Sequence, residues 1–310
     1  MIVAIDLGGT KIKIALVNDD LITDSISIDA QSQLGFGANI PRLNQAITSL
    51  LKKNFLSNND LLGIGMATPG VVDSENSKVL GINDKYTDLV GFDLKKWASN
   101  SFGLPLALEN DARAALLGEW KFGVGIGYDN LLGITLGTGI GTAAIVDGRM
   151  LKGKGFLAGN LGGHMILDRN GLKCNCGNIG CTEAQSASWS LPGIIKNHPG
   201  YEGSKLKEAS VLDFKNLFTM AKENDSCARE IRDYCLEIWS IGISNLCFAF
   251  DPEMVILNGG IMSSHQDIIP YIEEGINKEN KLRPGARIKV SIAKNKDSSA
   301  FFGMQYLLNF

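Results

Sequence analysis

Two segments of this chain follow one plan. "IVAIDLGGTKIKIALV" (2–17) is an apolar run, a glycine turn and a second apolar run, and "LLGITLGTGIGTAAIVDG" (131–148) repeats it. The copies start about 130 residues apart, too far for a short-period solenoid. A repeated strand–turn–strand unit at that distance predicts two related α/β halves facing each other across a cleft.

The segments between and after them fit an α/β reading. Ile40 to Phe55 carries apolar residues at helical spacing, and "LLGIGMATPG" (61–70) reads as a strand ending in a Pro69–Gly70 turn. "LPLALENDARAALLGEW" (104–120) reads as a buried strand, a polar break at Glu109–Asp111 and an Ala/Leu helix. Helices are expected from about Ser210 to Phe250, a strand into a double glycine in "PEMVILNGGIM" (252–262), and a helix near Gln266–Asn277. "RIKVSIAK" (287–294) reads as an edge strand, and the tail Ser299–Phe310 as a helix packing back on the first half. The expected division is a small domain, 1–115, completed by the C-terminal helix at about 298–310, and a larger domain, 116–297.

Composition excludes several classes. Of 310 residues 45% are apolar and 20% charged, a globular balance, and the net charge of −3 gives no footprint for nucleic acid and no basic face for a membrane. The most apolar window, Leu131–Val146, is broken by four glycines and is too short to span a bilayer. The N-terminus runs straight into the first strand without a charged leader. These features point to a cytoplasmic protein, where clustered cysteines favour metal or thiol chemistry over disulfides.

The glycine turns "DLGGTK" (6–11) and "LGTGIGT" (136–142), with "NGGIM" (258–262) as a third, can aim backbone N–H groups at an anion and let a phosphate approach closely. None is a Walker A loop, and strands rather than helices follow the first two, so neither of those is a dinucleotide fingerprint.

His164, Cys174, Cys176 and Cys181 form H-x9-C-x-C-x4-C. Three thiolates and an imidazole are a closed tetrahedral zinc set with no position left for catalysis. Gly177 and Gly180 let the chain turn around such an ion.

The first turn, "ENDA" (109–112) and the His/Cys cluster, in this order over the whole length, resemble the ROK family of bacterial sugar kinases and related repressors, within the sugar kinase/actin superfamily. The resemblance implies two duplicated RNase H-like (actin-like ATPase) domains flanking a cleft. It implies ATP, Mg²⁺ and a structural Zn²⁺, a small-molecule sugar as substrate and a homodimer, with no nucleic-acid or membrane partner. It places the general base on Asp111. Sugar contacts fall on Asn83, Asn110, Asp111, His164 and Glu183, the last two carried by or beside the metal loop. Nucleotide and Mg²⁺ contacts fall on Asp6, Gly8, Gly9, Thr10 and Lys11 in the first turn, Thr138 and Gly139 in the second, and Gly259 and Gly260 in the third.

The residue types agree. Phosphoryl transfer to a hydroxyl needs a carboxylate to accept the proton, although an acid in the place of Asp111 also suits a helix N-cap. An aspartate at the end of the first strand suits Mg²⁺ through water. Two positions depart from the pattern. Kinases of the family acting on glucose-like sugars carry a glutamate three residues before the metal histidine; here Leu161 stands there and Asn160 is the nearest polar side chain. Arg113 stands where asparagine is common. The expected function is transfer of the γ-phosphate of ATP to a hydroxyl of a hexose or N-acylated amino sugar. The alternative is a sugar-binding protein or a transcriptional regulator. Repressors of the family carry a winged-helix domain ahead of the first turn, at which this chain starts.

Overall fold

The structure, a computed structural model, describes residues 1–278, 285 and 287–309. It divides into two compact units: Met1–Gly127 with Lys152–Asn160 and Lys294–Phe310, and Tyr128–Leu151 with Leu161–Ala293.

The first unit is built on strands β1 (Ile2–Leu7), β2 (Lys11–Asn18), β3 (Leu21–Asp29), β4 (Ile64–Thr68) and β7 (Leu106–Asn110), in the order β3-β2-β1-β4-β7. The first three are antiparallel, and β4 and β7 continue parallel to β1. A hairpin of β5 (Val71–Asp73) and β6 (Lys78–Gly81) stands apart from this sheet. Helices α1 (Gly35–Lys53) and α2 (Leu94–Phe102) lie on one face; α3 (Asp111–Phe122) and the C-terminal helix (Ser299–Asn309) lie on the other. Alternation along β1 explains this. Val3, Ile5 and Leu7 pack towards α1 and α2, while Ile2 and Ala4 pack against Phe301, Phe302 and Ala114. Asp6 shares the parity of Ile2 and Ala4 and therefore points to the α3 side.

The tail packs against the first half, as its apolar spacing predicts; Phe310 lies outside the described residues. The approach of α3 and the C-terminal helix is close enough that a Cβ on Gly118 would run into the carbonyl of Ser299, and one on Gly303 into that of Ala114. The buried Glu119 carboxylate ties the two together, accepting hydrogen bonds from Lys294 N (3.0 Å), Asn295 N (2.7 Å) and Ser299 Oγ (2.7 Å).

Helix α1 starts five residues before the predicted Ile40 and ends at Lys53, with Phe55 97% exposed beyond it. Gly35, Gly37 and Pro41 read as helix breakers. The helix starts there because Asp88, far along the chain, accepts from Phe36 N (2.6 Å) and Gly37 N (2.7 Å) and supplies the cap that the local sequence lacks.

The second unit repeats the topology. Strands β8 (Leu131–Leu136), β9 (Ile140–Val146), β10 (Arg149–Met150), β11 (Met254–Asn258) and β12 (Lys289–Ile292) are ordered β10-β9-β8-β11-β12, again antiparallel through the first three and parallel through the last two. β12 is an edge strand, as predicted. Its core joins Leu132, Ile134 and Leu136 to α6 (Phe214–Lys222), α7 (Ser226–Phe250) and α8 (His265–Ile276). Two short helices, α4 (Thr182–Ser186) and α5 (Leu191–Lys196), follow the cysteine cluster. The duplicated α/β plan of the sequence is thus present in both sheets. Among the described residues no helix is long and apolar enough to cross a membrane.

Candidate active site and metal centre

In the first unit the acidic candidates sit at strand ends. Asn110 closes β7 and caps α3: its Oδ1 accepts from Ala112 N (2.9 Å) and Arg113 N (3.1 Å). The N-cap expected at Asp111 is therefore one residue earlier, because Asn110 still has extended backbone while Asp111 is already helical. Asp111 Oδ1 accepts from Asn110 Nδ2 (2.9 Å) and from Ala112 N (2.8 Å). Burial, reinforced by the charge of Asp6, pushes the Asp111 carboxyl up to about 7. Asp6 itself is raised to about 6, chiefly by burial, against the opposing pull of Lys13. Both carboxyls are thus held above the ordinary aspartate range, each chiefly by burial, which makes them candidates for a functional site.

The first turn bridges β1 and β2. A Cβ on Gly8 would lie 2.7 Å from the Lys11 carbonyl, and one on Gly9 would lie 2.5 Å from Lys85 Nζ. Lys11, expected at the phosphates, pairs with Asp29 on β3 in this structure, and Thr10 is exposed. The cation across the turn is Lys85, which the sequence did not reveal. Asn83, two residues before it, is exposed and accepts Lys85 N at its carbonyl (2.6 Å).

Asn160 is 6% exposed, and its Nδ2 lies 3.4 Å from the Gly70 carbonyl, which also takes Asn110 Nδ2 at 3.0 Å. Of the two residues that stand near the missing glutamate, Asn160 is thus the one beside Asn110. Arg113 is wholly buried, 3.8 Å from Glu109, and its Nη2 donates to the carbonyls of Phe156 and Ala158, both at 2.9 Å. It clamps the segment that leads to Asn160.

In the second unit the other two turns meet. Gly259, at φ 100°, faces the Leu136 carbonyl so closely that a Cβ would overlap it. Gly137 and Thr138 accept at their carbonyls from Ser188 N (3.1 Å) and Trp189 N (3.2 Å). Glu183, 7% exposed on α4, fastens the turn: Oε2 accepts from Ile140 N (2.8 Å) and lies 2.5 Å from where a Cβ on Gly139 would be, while Oε1 accepts from Trp189 Nε1 (3.1 Å). Both oxygens of this expected sugar ligand are engaged within the unit. Gly260 follows at the start of a 3₁₀ turn.

The ligand atoms of His164, Cys174, Cys176 and Cys181 lie within 4.8 Å of one another. Cys176 and Cys181 Sγ are 3.7 Å apart, and Cys174 Sγ is 3.6 Å from His164 Nδ1. A tetrahedral zinc with its usual bond lengths separates such atoms by about 3.5–3.8 Å, so donor set and spacing fit that ion. Gly177 (φ 97°) and Gly180 (φ 79°) make the bends, and the bridge Ile166↔Cys181 closes the loop onto the segment after His164. None of the six cysteines is joined in a disulfide.

Two units built on the same five-stranded α/β plan, each with a glycine turn, and a His/Cys3 loop in the second define the class of duplicated α/β proteins to which this chain belongs. The chain matches the ROK family over residues 2–309, and it belongs to that family. It is 29% identical to a glucokinase of Halalkalibacterium halodurans over 88% of this chain and 84% of that protein. It is 27% identical to a xylose repressor of Caldicellulosiruptor bescii over 97% of this chain and 76% of the repressor. A ROK family glucokinase from Streptomyces griseus, solved with glucose and AMPPNP, shares the fold with a TM-score of 0.81, at 24% identity over 99% and 98% of the two chains.

Proposed function

We propose that this chain is an ATP-dependent sugar kinase that transfers the γ-phosphate of ATP to a hydroxyl of a hexose or N-acylated amino sugar. The observation that carries the reading is Asp111: a carboxylate lifted to about 7, at the start of α3, hydrogen-bonded to Asn110 and electrostatically coupled to Asp6. That is the protonation range in which a base both accepts a proton and is ionised near neutral pH.

ATP supplies the electrophilic phosphorus, and Mg²⁺ neutralises its charge. Asp6 is the residue that would hold this cation. Asn110 and Asn160 orient the sugar, with Asn83, His164 and Glu183 as further sugar-side residues. Asp111 takes the proton of the attacking hydroxyl. The bare backbone at Gly8 and Gly9 receives the phosphates in the first unit, with Thr10 and Lys11 beside it. Thr138, Gly139, Gly259 and Gly260 receive the nucleotide in the second. Zinc on His164, Cys174, Cys176 and Cys181 is structural. The chain works as a cytoplasmic homodimer. Asn160 in place of a carboxylate leaves a neutral amide facing the sugar, which favours a substrate other than glucose, such as an acylated amino sugar.

The test is ADP release by purified protein with MgATP against glucose, mannose, fructose, allose, N-acetylglucosamine and N-acetylmannosamine. Turnover with one sugar, abolished in Asp111→Ala, supports the reading. Sugar binding without turnover across the panel favours the regulator reading, which the long alignment with the xylose repressor keeps in view.

A further inference from the structure

Gly8 and Gly9 both have ordinary backbone angles, so neither is required for a left-handed turn. What they provide is room, and at Gly9 the room is taken by Lys85. A Cβ there would lie 2.5 Å from Nζ, 2.9 Å from Cδ and 3.1 Å from Cε. The lysine stem lies flat across the bare residue and delivers an ammonium to the turn.

The segment carrying Lys85 is fixed to that turn from several sides. Tyr86, 1% exposed, donates its hydroxyl to the Gly8 carbonyl (3.1 Å), and its N–H goes to the Ser32 carbonyl (3.1 Å). Ser32 Oγ in turn donates to the Gly9 carbonyl (2.8 Å). Asp88 then anchors the segment to the N-terminus of α1. Asp84 (φ 56°) and Tyr86 (φ 51°) are both held in the left-handed region. That conformation costs a non-glycine residue of order 1 kcal/mol or more and persists only where the surroundings over-determine it, which is commonest at functional loops. Lys85 itself forms no ion pair among the described residues, whereas Lys11, the cation nearest in sequence to the turn, is paired with Asp29.

From this geometry we propose that Lys85 is a catalytic residue whose ammonium binds the terminal phosphates of the nucleotide at the first glycine turn. The proposal rests on the kinase reading above and deepens it. In the transfer, the sugar oxygen bonds to the γ-phosphorus. The bond from that phosphorus to the β–γ bridging oxygen breaks, and ADP leaves with its electron pair. The hydroxyl proton passes to Asp111. Lys85 makes and breaks no bond; it offsets the charge that spreads over the phosphoryl oxygens. Because the same segment carries Asn83, seating the phosphates on Lys85 also fixes the position of a sugar-side residue two positions away.

The experiment is calorimetric titration of the full chain with Mg–AMPPNP and, separately, with AMP, for wild type, Lys85→Met and Lys85→Arg. Methionine keeps the apolar stem over Gly9 and removes only the charge. The expected result is about 10- to 100-fold weaker Mg–AMPPNP binding in Lys85→Met, the size of a lost charge-assisted hydrogen bond, with AMP binding unchanged and most of the loss recovered in Lys85→Arg. Equal Mg–AMPPNP affinity in Lys85→Met and wild type overturns the assignment and leaves the kinase reading standing. A parallel loss of AMP binding also overturns it, since the lysine would then be supporting the loop. Wild type that binds neither nucleotide removes the kinase reading and the proposal together.

Discussion

Asn110 donates its side-chain amide to Asp111 Oδ1 at 2.9 Å while its own Oδ1 caps the helix that Asp111 begins. The cap therefore consumes Asn110, and the Asp111 carboxylate is spared for other work. The position is costly for the fold. Asp111 is raised from 3.8 to about 7, so the folded chain holds a proton that the unfolded chain has already released between those values. Stability from this group is fully present below about pH 4 and falls as pH rises towards 7. At about 1.4 kcal/mol per unit, the cost at pH 8 is about 4 kcal/mol. Asp111→Asn should accordingly raise the melting temperature at pH 8, leave it nearly unchanged at pH 4, and abolish sugar phosphorylation. Equal melting of the two proteins at pH 8 would show that burial does not strain Asp111. In the active enzyme, kcat/KM should fall as pH drops through about 7, because the base is lost to protonation.

The metal loop predicts a pattern of thiol reactivity. Cys174 and Cys181 are buried with Cys176 near them, and Cys227, Cys235 and Cys247 are buried elsewhere in the second unit. With zinc bound, the native protein should react slowly at all six thiols. Stripping the metal with a strong chelator should expose three and leave three protected, as counted with a disulfide reagent under native conditions. Elemental analysis should give one zinc per chain, absent in Cys176→Ser. Release of six thiols on chelation would mean that the ion holds the whole unit together and not the loop alone.

Glu183 braces the second glycine turn through Ile140 N and reaches Trp189 with its other oxygen. Removing it leaves the buried Ile140 N–H without its acceptor, a loss of about 1–3 kcal/mol, and returns the indole N–H of the exposed Trp189 to water. Glu183→Ala should lower stability by about 1–3 kcal/mol and weaken nucleotide binding through the loosened Thr138–Gly139 turn. Trp189→Phe removes one of these bonds only and should act in the same direction by less. If Glu183→Ala changes sugar affinity alone, with the nucleotide constant untouched, the carboxylate serves the sugar directly.

What was legible in the chain was local. The paired strand–turn–strand units show in alternation and glycine spacing, and the zinc ligands lie within eighteen residues, so no tertiary knowledge is needed to group them. The rest depends on contacts between residues far apart in the chain. The start of α1 is set by Asp88, and the occupant of the first turn is set by a strained segment near residue 85. The pairing of Lys11 with Asp29 on the neighbouring strand, eighteen residues on, is likewise set by the fold. Arg113 had no sequence rationale, and its two carbonyl acceptors lie more than forty residues away.

That arginine carries the last prediction. Glu109, at the end of β7, and Arg113, in the first turn of α3, are both fully buried, with charged atoms 3.8 Å from each other, and Lys152 Nζ stands 3.9 Å from the other oxygen of Glu109. Burial pushes the Glu109 carboxyl up and the Arg113 guanidinium down, and their mutual attraction opposes both shifts. Glu109 Oε2 and Arg113 Nε and Nη1 have no hydrogen-bond partner among the described residues, so the pair is held by charge more than by bonds. Breaking such a pair is worse than deleting it, because the survivor is left as an uncompensated buried charge at a cost of about 3–5 kcal/mol. Glu109→Leu alone should therefore be strongly destabilising in urea denaturation, whereas Glu109→Leu with Arg113→Met should recover much of the loss. The double variant still lacks the clamp on the Phe156 and Ala158 carbonyls, so its sugar KM should rise more than its kcat falls, through Asn160. A double variant as unstable as the sum of the two single ones would show that the charges act independently.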